Sequence, residues 1–153
     1  MRRVLPLFAV LSLAFAPAPF PKPSISINLA SFQGRWKVVR IEVTLPNGGV
    51  RKWDWDIRTI RVRDNHMAYL RGNASDAKAD EFPIAMSPGK ELAAIDWWLP
   101  GQKPDGSPKM VGLMRRRGDT IHILYKPGTG LADRPKQFEN PPEGWYLKTI
   151  RRE

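Results

Sequence analysis

The chain has 153 residues, of which 42% are hydrophobic and 26% are charged, so it is long enough for one globular domain and excludes a second full domain. Its 15 prolines and 12 glycines interrupt regular structure and disfavour an all-helical bundle. Cysteine is absent, which excludes disulfides, thiolate metal sites and a cysteine nucleophile, and the formal net charge is +10.

The N-terminus is typical of a secretory signal peptide. Met1-Arg2-Arg3 is basic, and the apolar run from Val4 to Ala16 is too short for a stable membrane anchor. We predict a signal peptide at 1–14, with cleavage between 14 and 18, and a proline-rich linker at 15–26. An uncleaved anchor is the alternative. We expect the domain at 27–153 to be extracytoplasmic, either periplasmic or secreted, with no stable membrane span after cleavage.

Removal of the signal peptide takes away Arg2 and Arg3 and leaves a net charge of +8, so the mature chain remains strongly basic. In the cytoplasm such a charge would favour nucleic acid as a partner. An exported protein instead meets anionic polysaccharides, lipid headgroups and acidic proteins first. We therefore predict no nucleic-acid partner and consider acidic surface polymers instead.

Eight segments have the alternating apolar and polar residues of half-buried strands. The first begins at Gly34, with Val39, Ile41 and Val43 on one face. The other seven segments are 57–63, 66–71, 81–86, 93–99, 110–115, 120–126 and 144–151. Pro83 is expected to restrict its strand to an edge or a bulge. A single helical turn is expected around residues 28–32, with Asn28 as its cap.

The predicted fold is all-β, an eight-stranded antiparallel up-and-down barrel. Sequential antiparallel strands in a domain of this length either close into a barrel or split into a sandwich. We favour the barrel because closure leaves no unpaired strand edge. The stretches 72–80, 100–108 and 127–143 are expected to be loops.

Several motifs resemble a known family. The segment FQGRWKVVRIEV, which contains Gly34-x-Trp36, is similar to the start of lipocalin-like domains. Read together with AIDWW, GLMRRRGDTIHILYKPG and RPKQFEN, it resembles the small uncharacterised lipocalin-like domain of planctomycete exported proteins. The resemblance covers roughly Phe32 to Arg152. It implies an exported eight-stranded barrel and supplies no catalytic residues.

A plug is expected at one end of the barrel. A large indole at Trp36 fills that end, and Gly34 lets the backbone turn tightly beneath the ring. The resemblance to lipocalins implies a basic side chain from the end of the last strand lying over this indole in a cation–π contact. Arg151 and Arg152, on opposite faces of that strand, are the candidates, and we assign Arg151 to the plug together with Gly34 and Trp36.

Motifs for catalysis or metal binding are weak. His66 and His122 are the only histidines, and a metal site would need Asp96 or Asp119 as a third ligand, without the spacing of a ligand motif. We predict that the chain holds no metal.

Asp54 and Asp56 flank Trp55 and suit acid–base chemistry, but they equally suit a solvated loop with Trp53 and Trp55 turned inward. The sequence contains no nucleophile elbow, phosphate loop or dinucleotide fingerprint. We therefore predict a protein without enzymatic activity and without a cofactor.

A basic, tryptophan-containing surface is a further possibility. Arg115, Arg116 and Arg117, with Lys109 and Lys126 nearby, would suit capture of sulfate, phosphate or carboxylate, although such a turn is equally typical of a solvated hairpin tip. The tryptophans Trp53, Trp55, Trp97 and Trp98 suit stacking on sugars. Because Trp97 and Trp98 are consecutive in a strand, one of them is expected to face away from the barrel interior.

The predicted function is non-enzymatic. The barrel interior either binds one small apolar ligand or is filled by its own side chains, because eight strands lie near that size limit. The residues expected to line it, chosen by alternation, are Met67, Tyr69, Met110, Met114, Ile121, Ile123 and Tyr125. The alternative is an extracytoplasmic interaction module that binds acidic polysaccharide or other surface polymers through Arg115, Arg116, Arg117 and an exposed tryptophan. A cavity of roughly 300 Å³ or more with an open mouth favours the ligand carrier.

Overall fold

The structure is a computed structural model that describes residues 26–72, 79–127 and 131–153. The predicted signal peptide and nearly all of the predicted linker lie outside these residues. Within them no helix has the length and apolarity needed to cross a membrane. The regular elements are α1 (Leu29–Phe32), β1 (Gly34–Thr44), β2 (Val50–Lys52), β3 (Ile57–Arg63), β4 (His66–Arg71), β5 (Glu81–Ser87), β6 (Leu92–Trp97), β7 (Met110–Arg117), β8 (Thr120–Pro127) and β9 (Tyr146–Arg152).

The strands form a closed antiparallel barrel. From β3 to β9 each strand pairs with the next in sequence, and β1 pairs with both β3 and β9. The predicted eight-stranded antiparallel barrel is therefore confirmed. One strand beyond the predicted eight, β2, was not predicted, because its three residues are all exposed and show no alternation of apolar and polar side chains. It lies outside the barrel and extends only the end of β1.

A bulge in β1 changes which of its side chains face inward. The register between β1 and β9 shifts between Val38 and Arg40, which leaves Val39 as the extra residue. Ile41 and Val43 are buried, whereas Val39 is 51% exposed. The prediction that these three valine and isoleucine side chains share one face is therefore wrong at Val39, because the bulge reverses the alternation there.

Pro83 lies in an interior strand, so the prediction that it marks a strand edge or bulge is wrong. Its strand β5 is paired on both sides, with β4 and with β6. The register with β6 begins one residue later, at Ile84 opposite Trp97. Pro83 contributes only its carbonyl, which accepts a hydrogen bond of 3.0 Å from the Trp98 N–H. Proline has no N–H to donate the reciprocal bond, and the strand accommodates it at the end of its pairing with β6, where only this one bond is missing.

The helical turn α1 covers the end of the barrel where β1 begins and β9 ends, which we call the closed end. The predicted Asn28 cap is confirmed: its side chain accepts from Ser31 N–H at 2.8 Å, and Ser31 Oγ accepts from Asn28 N–H in return. The Gln33 side chain donates to the Asp64 carbonyl and accepts from the Asp64 N–H, both at 2.8 Å. These bonds tie α1 to the turn between β3 and β4.

Trp36 plugs the closed end. Its side chain is fully buried, and its indole N–H donates to the Phe32 carbonyl at 2.8 Å. Gly34 adopts a φ of +105°, a conformation that side-chain-bearing residues rarely adopt. The cation over the indole is Arg152, whose guanidinium carbon lies 5.2 Å from the ring centre. The assignment of Arg151 is wrong, because Arg152 lies directly opposite Trp36 in the β1–β9 register and therefore shares its face.

Apolar side chains pack on both surfaces of the sheet. The cluster inside the barrel extends from the closed end and includes Ile27, Phe32, Trp36, Ile60, Val62, Met67, Ile95, Met114, Ile121, Ile123 and Ile150. A second cluster lies on the outer face of β7 and β8, where Phe138 and Trp145 cover Leu113 and Leu124. The covering residues belong to the segment 131–145, which we call the outer strap.

The outer strap is held by charge as well as by apolar contact. Arg134 donates to both carboxylate oxygens of the buried Asp96 on β6, at 2.6 and 2.5 Å. Arg115 donates to Glu139 at 2.8 Å, and its guanidinium lies 4.5 Å from the Phe138 ring centre. Three of the seven residues of the motif RPKQFEN, which was predicted only as loop, therefore fasten this strap to the barrel: Arg134, Phe138 and Glu139.

Replacement of the plug cation tests the closed end. Arg152→Ala removes the cation–π contact with Trp36, and we expect the free energy of unfolding to fall by about 0.5–1 kcal/mol. Arg151→Ala is the matched control and is expected to stay within about 0.5 kcal/mol of the parent. Urea unfolding followed by tryptophan fluorescence measures both. An equal loss in the two variants would contradict the assignment of Arg152.

Candidate functional site

The opposite end of the barrel, which we call the open end, contains a cavity of about 360 Å³. It opens where β4, β6 and β8 end and where β3, β5 and β7 begin. The ten lining residues are Trp55, Ile57, Tyr69, Arg71, Ala79, Asp80, Phe82, Trp97, Met110 and Tyr125. The volume falls within the range that small-molecule sites occupy.

All seven residues predicted to line the interior belong to, or pack against, the interior cluster. They divide between its two halves. Tyr69, Met110 and Tyr125 line the cavity, whereas Met67, Met114, Ile121 and Ile123 are fully buried among the packed side chains. The two alternatives drawn from the sequence, a filled barrel and a hollow one, therefore each describe one half of the interior.

Aromatic rings form two walls of the cavity. In one wall, Tyr69 contacts Phe82 and Trp55, with ring centres 5.2 and 6.2 Å apart. In the other, Tyr125 contacts Trp97 at 5.2 Å and stacks on Tyr146 at 5.3 Å. Trp55 is 41% exposed at the mouth. The walls therefore present ring faces and edges to any molecule that enters.

Lys148 lies between the two walls and joins them. It is only 1% exposed, and its ammonium nitrogen lies 4.4 Å from the Tyr69 ring centre and 4.8 Å from that of Tyr125. The same nitrogen donates a hydrogen bond of 3.0 Å to the Tyr69 hydroxyl. Among the described residues no carboxylate forms an ion pair with it.

Burial changes the ionisation of this group of side chains. Loss of solvation lowers the pKa of Lys148 from its ordinary value of 10.5 to about 7. Burial raises the pKa of Tyr69 and of Tyr125, and in Tyr125 the neighbouring tyrosines add to the increase. Both phenols are therefore neutral at physiological pH, and the lysine changes its charge near neutrality.

The two consecutive tryptophans point to opposite sides of the sheet. Trp97 lies inside, against Tyr125. Trp98 lies beyond the end of β6 and is 6% exposed, with its indole N–H donating to the Gly106 carbonyl at 3.0 Å. One indole does face away from the interior, but a loop covers it. The exposed indole is that of Trp55 instead.

The three consecutive arginines do not form one surface. Arg115 and Arg117 alternate with Arg116 along β7, so they point to opposite faces. Arg115 is bound to Glu139, and the Arg116 side chain donates to the Gly118 carbonyl at 3.0 Å. Lys109 and Lys126 lie at the other end of the β7–β8 hairpin. The structure therefore does not bring the five basic residues together.

The histidines and carboxylates considered from the sequence also lie apart. His122 lies on the outer face, where its Nδ1 is 3.2 Å from the Thr149 hydroxyl oxygen. Burial is the main cause that lowers the pKa of His122, and repulsion from the Arg115 cation lowers it further. His66 is the first residue of β4, at the closed end. Asp96 forms an ion pair with Arg134. No group of three or more potential metal ligands occurs in the part of the chain that the structure describes.

Asp54 and Asp56 are exposed in the segment between β2 and β3, next to the mouth of the cavity. The carboxylate of Asp56 lies 4.0 Å from the guanidinium of Arg58. Trp53 is turned toward the barrel and contacts Tyr146 edge-on, with ring centres 5.8 Å apart. The segment has the geometry of a solvated loop with one tryptophan inward, and Trp55 lies at the cavity mouth.

Sequence reasoning missed Lys148, Phe82, Trp97 and Trp55 as cavity residues. The sequence does indicate that Lys148 points inward, because it stands two residues before Ile150 in a predicted strand and therefore shares the inner face with it. Lysine is almost never fully buried without a partner, and for this reason Lys148 was not predicted to line the interior.

Comparison of the chain with protein-family models, with curated proteins and with solved structures gives no match.

The buried lysine predicts a pH dependence of stability. Between pH of about 7 and 10 the unfolded chain keeps the Lys148 proton and the folded chain loses it, so the free energy of unfolding rises with pH. From about pH 7.5 to 9.5 we expect a rise of about 2 kcal/mol, seen in urea unfolding.

Lys148→Met removes this titrating group and is expected to abolish the rise. Lys126→Met, on a lysine whose ammonium lies 6.0 Å from the Trp145 ring centre, is the matched control and is expected to retain it. The same rise in Lys148→Met and in the parent would show that other groups cause it.

Proposed function

We propose that the chain is an exported, non-enzymatic, lipocalin-like carrier that binds a small apolar ligand in the open half of its barrel. The observation that carries the proposal is the cavity of about 360 Å³, which ends at a half-exposed tryptophan. Its volume exceeds the roughly 300 Å³ that separates a ligand cavity from the defects of a packed core.

The chemistry of the walls supports an apolar ligand. Five of the ten lining residues are aromatic, and Ile57, Ala79 and Met110 add further apolar surface. Burial of apolar area contributes about 25 cal/mol per Å², and offset ring stacking adds to it. Arg71 and Asp80, of opposite charge, lie among the lining residues without making the cavity strongly charged overall.

The lipocalin-like assignment and the export rest on the sequence, with support from the fold. A closed eight-stranded barrel, a Gly-x-Trp at its first strand and an arginine over that tryptophan are the combination that the family resemblance implies. The basic and apolar residues of segment 1–14 support export. No contact among the described residues favours the alternative of a polymer-binding basic face.

A neutral fluorescent probe tests the carrier function. We expect N-phenyl-α-naphthylamine to bind at one site with a Kd on the order of micromolar, because the aromatic walls bury most of its surface. Met110→Trp fills the cavity and is expected to weaken binding by about tenfold or more. Enhancement of probe fluorescence measures both.

Val50→Trp is the matched control, since it introduces the same indole at a 61% exposed position on β2, outside the barrel. It is expected to bind the probe as the parent does. Failure of the parent to bind, or equal binding by Met110→Trp, would contradict a ligand site in this cavity.

A further inference from the structure

We infer that the ligand of this cavity carries an anionic group, such as a carboxylate, which binds against the Tyr69 hydroxyl and is neutralised by Lys148. This inference rests on the proposed ligand-binding function and specifies the class of ligand. Three features support it. In the described part of the chain, Lys148 is a buried cation without a counter-charge, the Tyr69 hydroxyl beside it has an unused hydrogen-bond donor, and the ammonium of Lys148 already occupies the faces of two aromatic rings.

Lys148 is the exception among the buried polar side chains of the described residues. Those are Thr59, Asp96, Lys148 and Thr149. Asp96 is paired with the guanidinium of Arg134, and Thr59 donates to the carboxylate of Glu153 at 2.7 Å. Lys148 has only a neutral hydroxyl and two rings. A buried cation without a counter-charge destabilises the fold, and a ligand anion would supply the missing charge.

The Tyr69 hydroxyl has a free donor. A phenol carries one hydrogen and accepts through its lone pairs. Here the oxygen accepts from Lys148, and within the described residues no acceptor is found for its own hydrogen. Tyr69 is one of the residues that line the cavity, and the inferred ligand places its acceptor within reach of this hydrogen. A carboxylate oxygen is the strongest acceptor for such a donor.

A cationic ligand is disfavoured by the same geometry. Aromatic cavities often bind cations over their ring faces. In this barrel the internal ammonium of Lys148 already lies over Tyr69 and Tyr125, at 4.4 and 4.8 Å. A second cation would be repelled by the first. The remaining rings, Phe82, Trp97 and Trp55, are free to contact an apolar body attached to the anion.

Binding of an anion is coupled to proton uptake. The groups that face Lys148 are Tyr69 from β4, Tyr125 from β8, and Tyr146 on β9 itself, while Ile41 of β1 and Ile123 of β8 flank it in register. Burial raises the pKa of Tyr69 and Tyr125. Lys148 is therefore the group that changes its charge near neutrality, and a bound carboxylate raises its pKa again.

The test compares β-naphthoate with β-naphthamide, which have the same shape and differ in charge. Isothermal titration calorimetry at about pH 8, in two buffers of different ionisation enthalpy, gives the affinity and the number of protons exchanged. We expect the naphthoate to bind roughly tenfold or more tightly than the naphthamide. We also expect the naphthoate, and not the naphthamide, to bind with uptake approaching one proton.

Variants assign the effect to its residue. Lys148→Met is expected to remove the preference for the naphthoate and the proton uptake while still binding the naphthamide. Lys126→Met is the matched lysine control and is expected to change neither. Arg71→Met tests the exposed cation at the mouth, and a preference lost there but kept in Lys148→Met would overturn the inference. A shift of the Lys148 Cε resonance toward its protonated position when naphthoate is added supports the inference without any substitution.

The two proposals fail in different ways. Equal affinity for the naphthoate and the naphthamide without proton uptake would overturn the anionic-ligand inference and leave the carrier function standing. The same holds when N-phenyl-α-naphthylamine binds and the naphthoate does not. Absence of binding by all three molecules would contradict the carrier function itself.

Discussion

The pairing of β9 with β1 is the interaction on which the rest of the structure depends. It closes the sheet, so that no barrel strand is left with an unpaired edge. Its register sets Arg152 opposite Trp36 at the closed end and Lys148 opposite Ile41 farther along. The bulge at Val39 keeps inward-facing residues on both sides of the shift. The plug and the buried amine are therefore consequences of one strand pairing.

The interior is divided into a packed half and a hollow half. At the closed end, α1 and Trp36 fill the barrel, and the outer strap packs a second apolar cluster on the opposite surface of β7 and β8. These contacts supply stability that does not depend on the open end. The open end therefore tolerates features that destabilise the fold, an unfilled cavity and an unpaired Lys148. Departures from good packing and charge pairing of this kind are expected at functional sites.

Much of the fold follows from the residue pattern, because strand alternation is a local rule, and of the barrel and the sandwich only the barrel leaves no unpaired strand edge. Alternation placed Met67, Tyr69 and Tyr125 inside correctly. It could not decide which of Arg151 and Arg152 lies over Trp36, because that choice depends on the register in which β9 pairs with β1. It also missed the outer strap, whose contacts between Arg134 and Asp96 join residues far apart in sequence. Lys148 was missed because a charged side chain is not expected at an inward-facing position. Only the three-dimensional structure shows that it is buried there.

The most direct measurement is a crystal structure of the protein with β-naphthoate. The account predicts electron density for the naphthalene ring between the walls formed by Phe82 and Trp97. It also predicts a carboxylate oxygen within about 2.5–3.0 Å of the Tyr69 hydroxyl, with Lys148 still buried behind it. A cavity filled by its own side chains, with the Lys148 amine turned out to solvent, would contradict it.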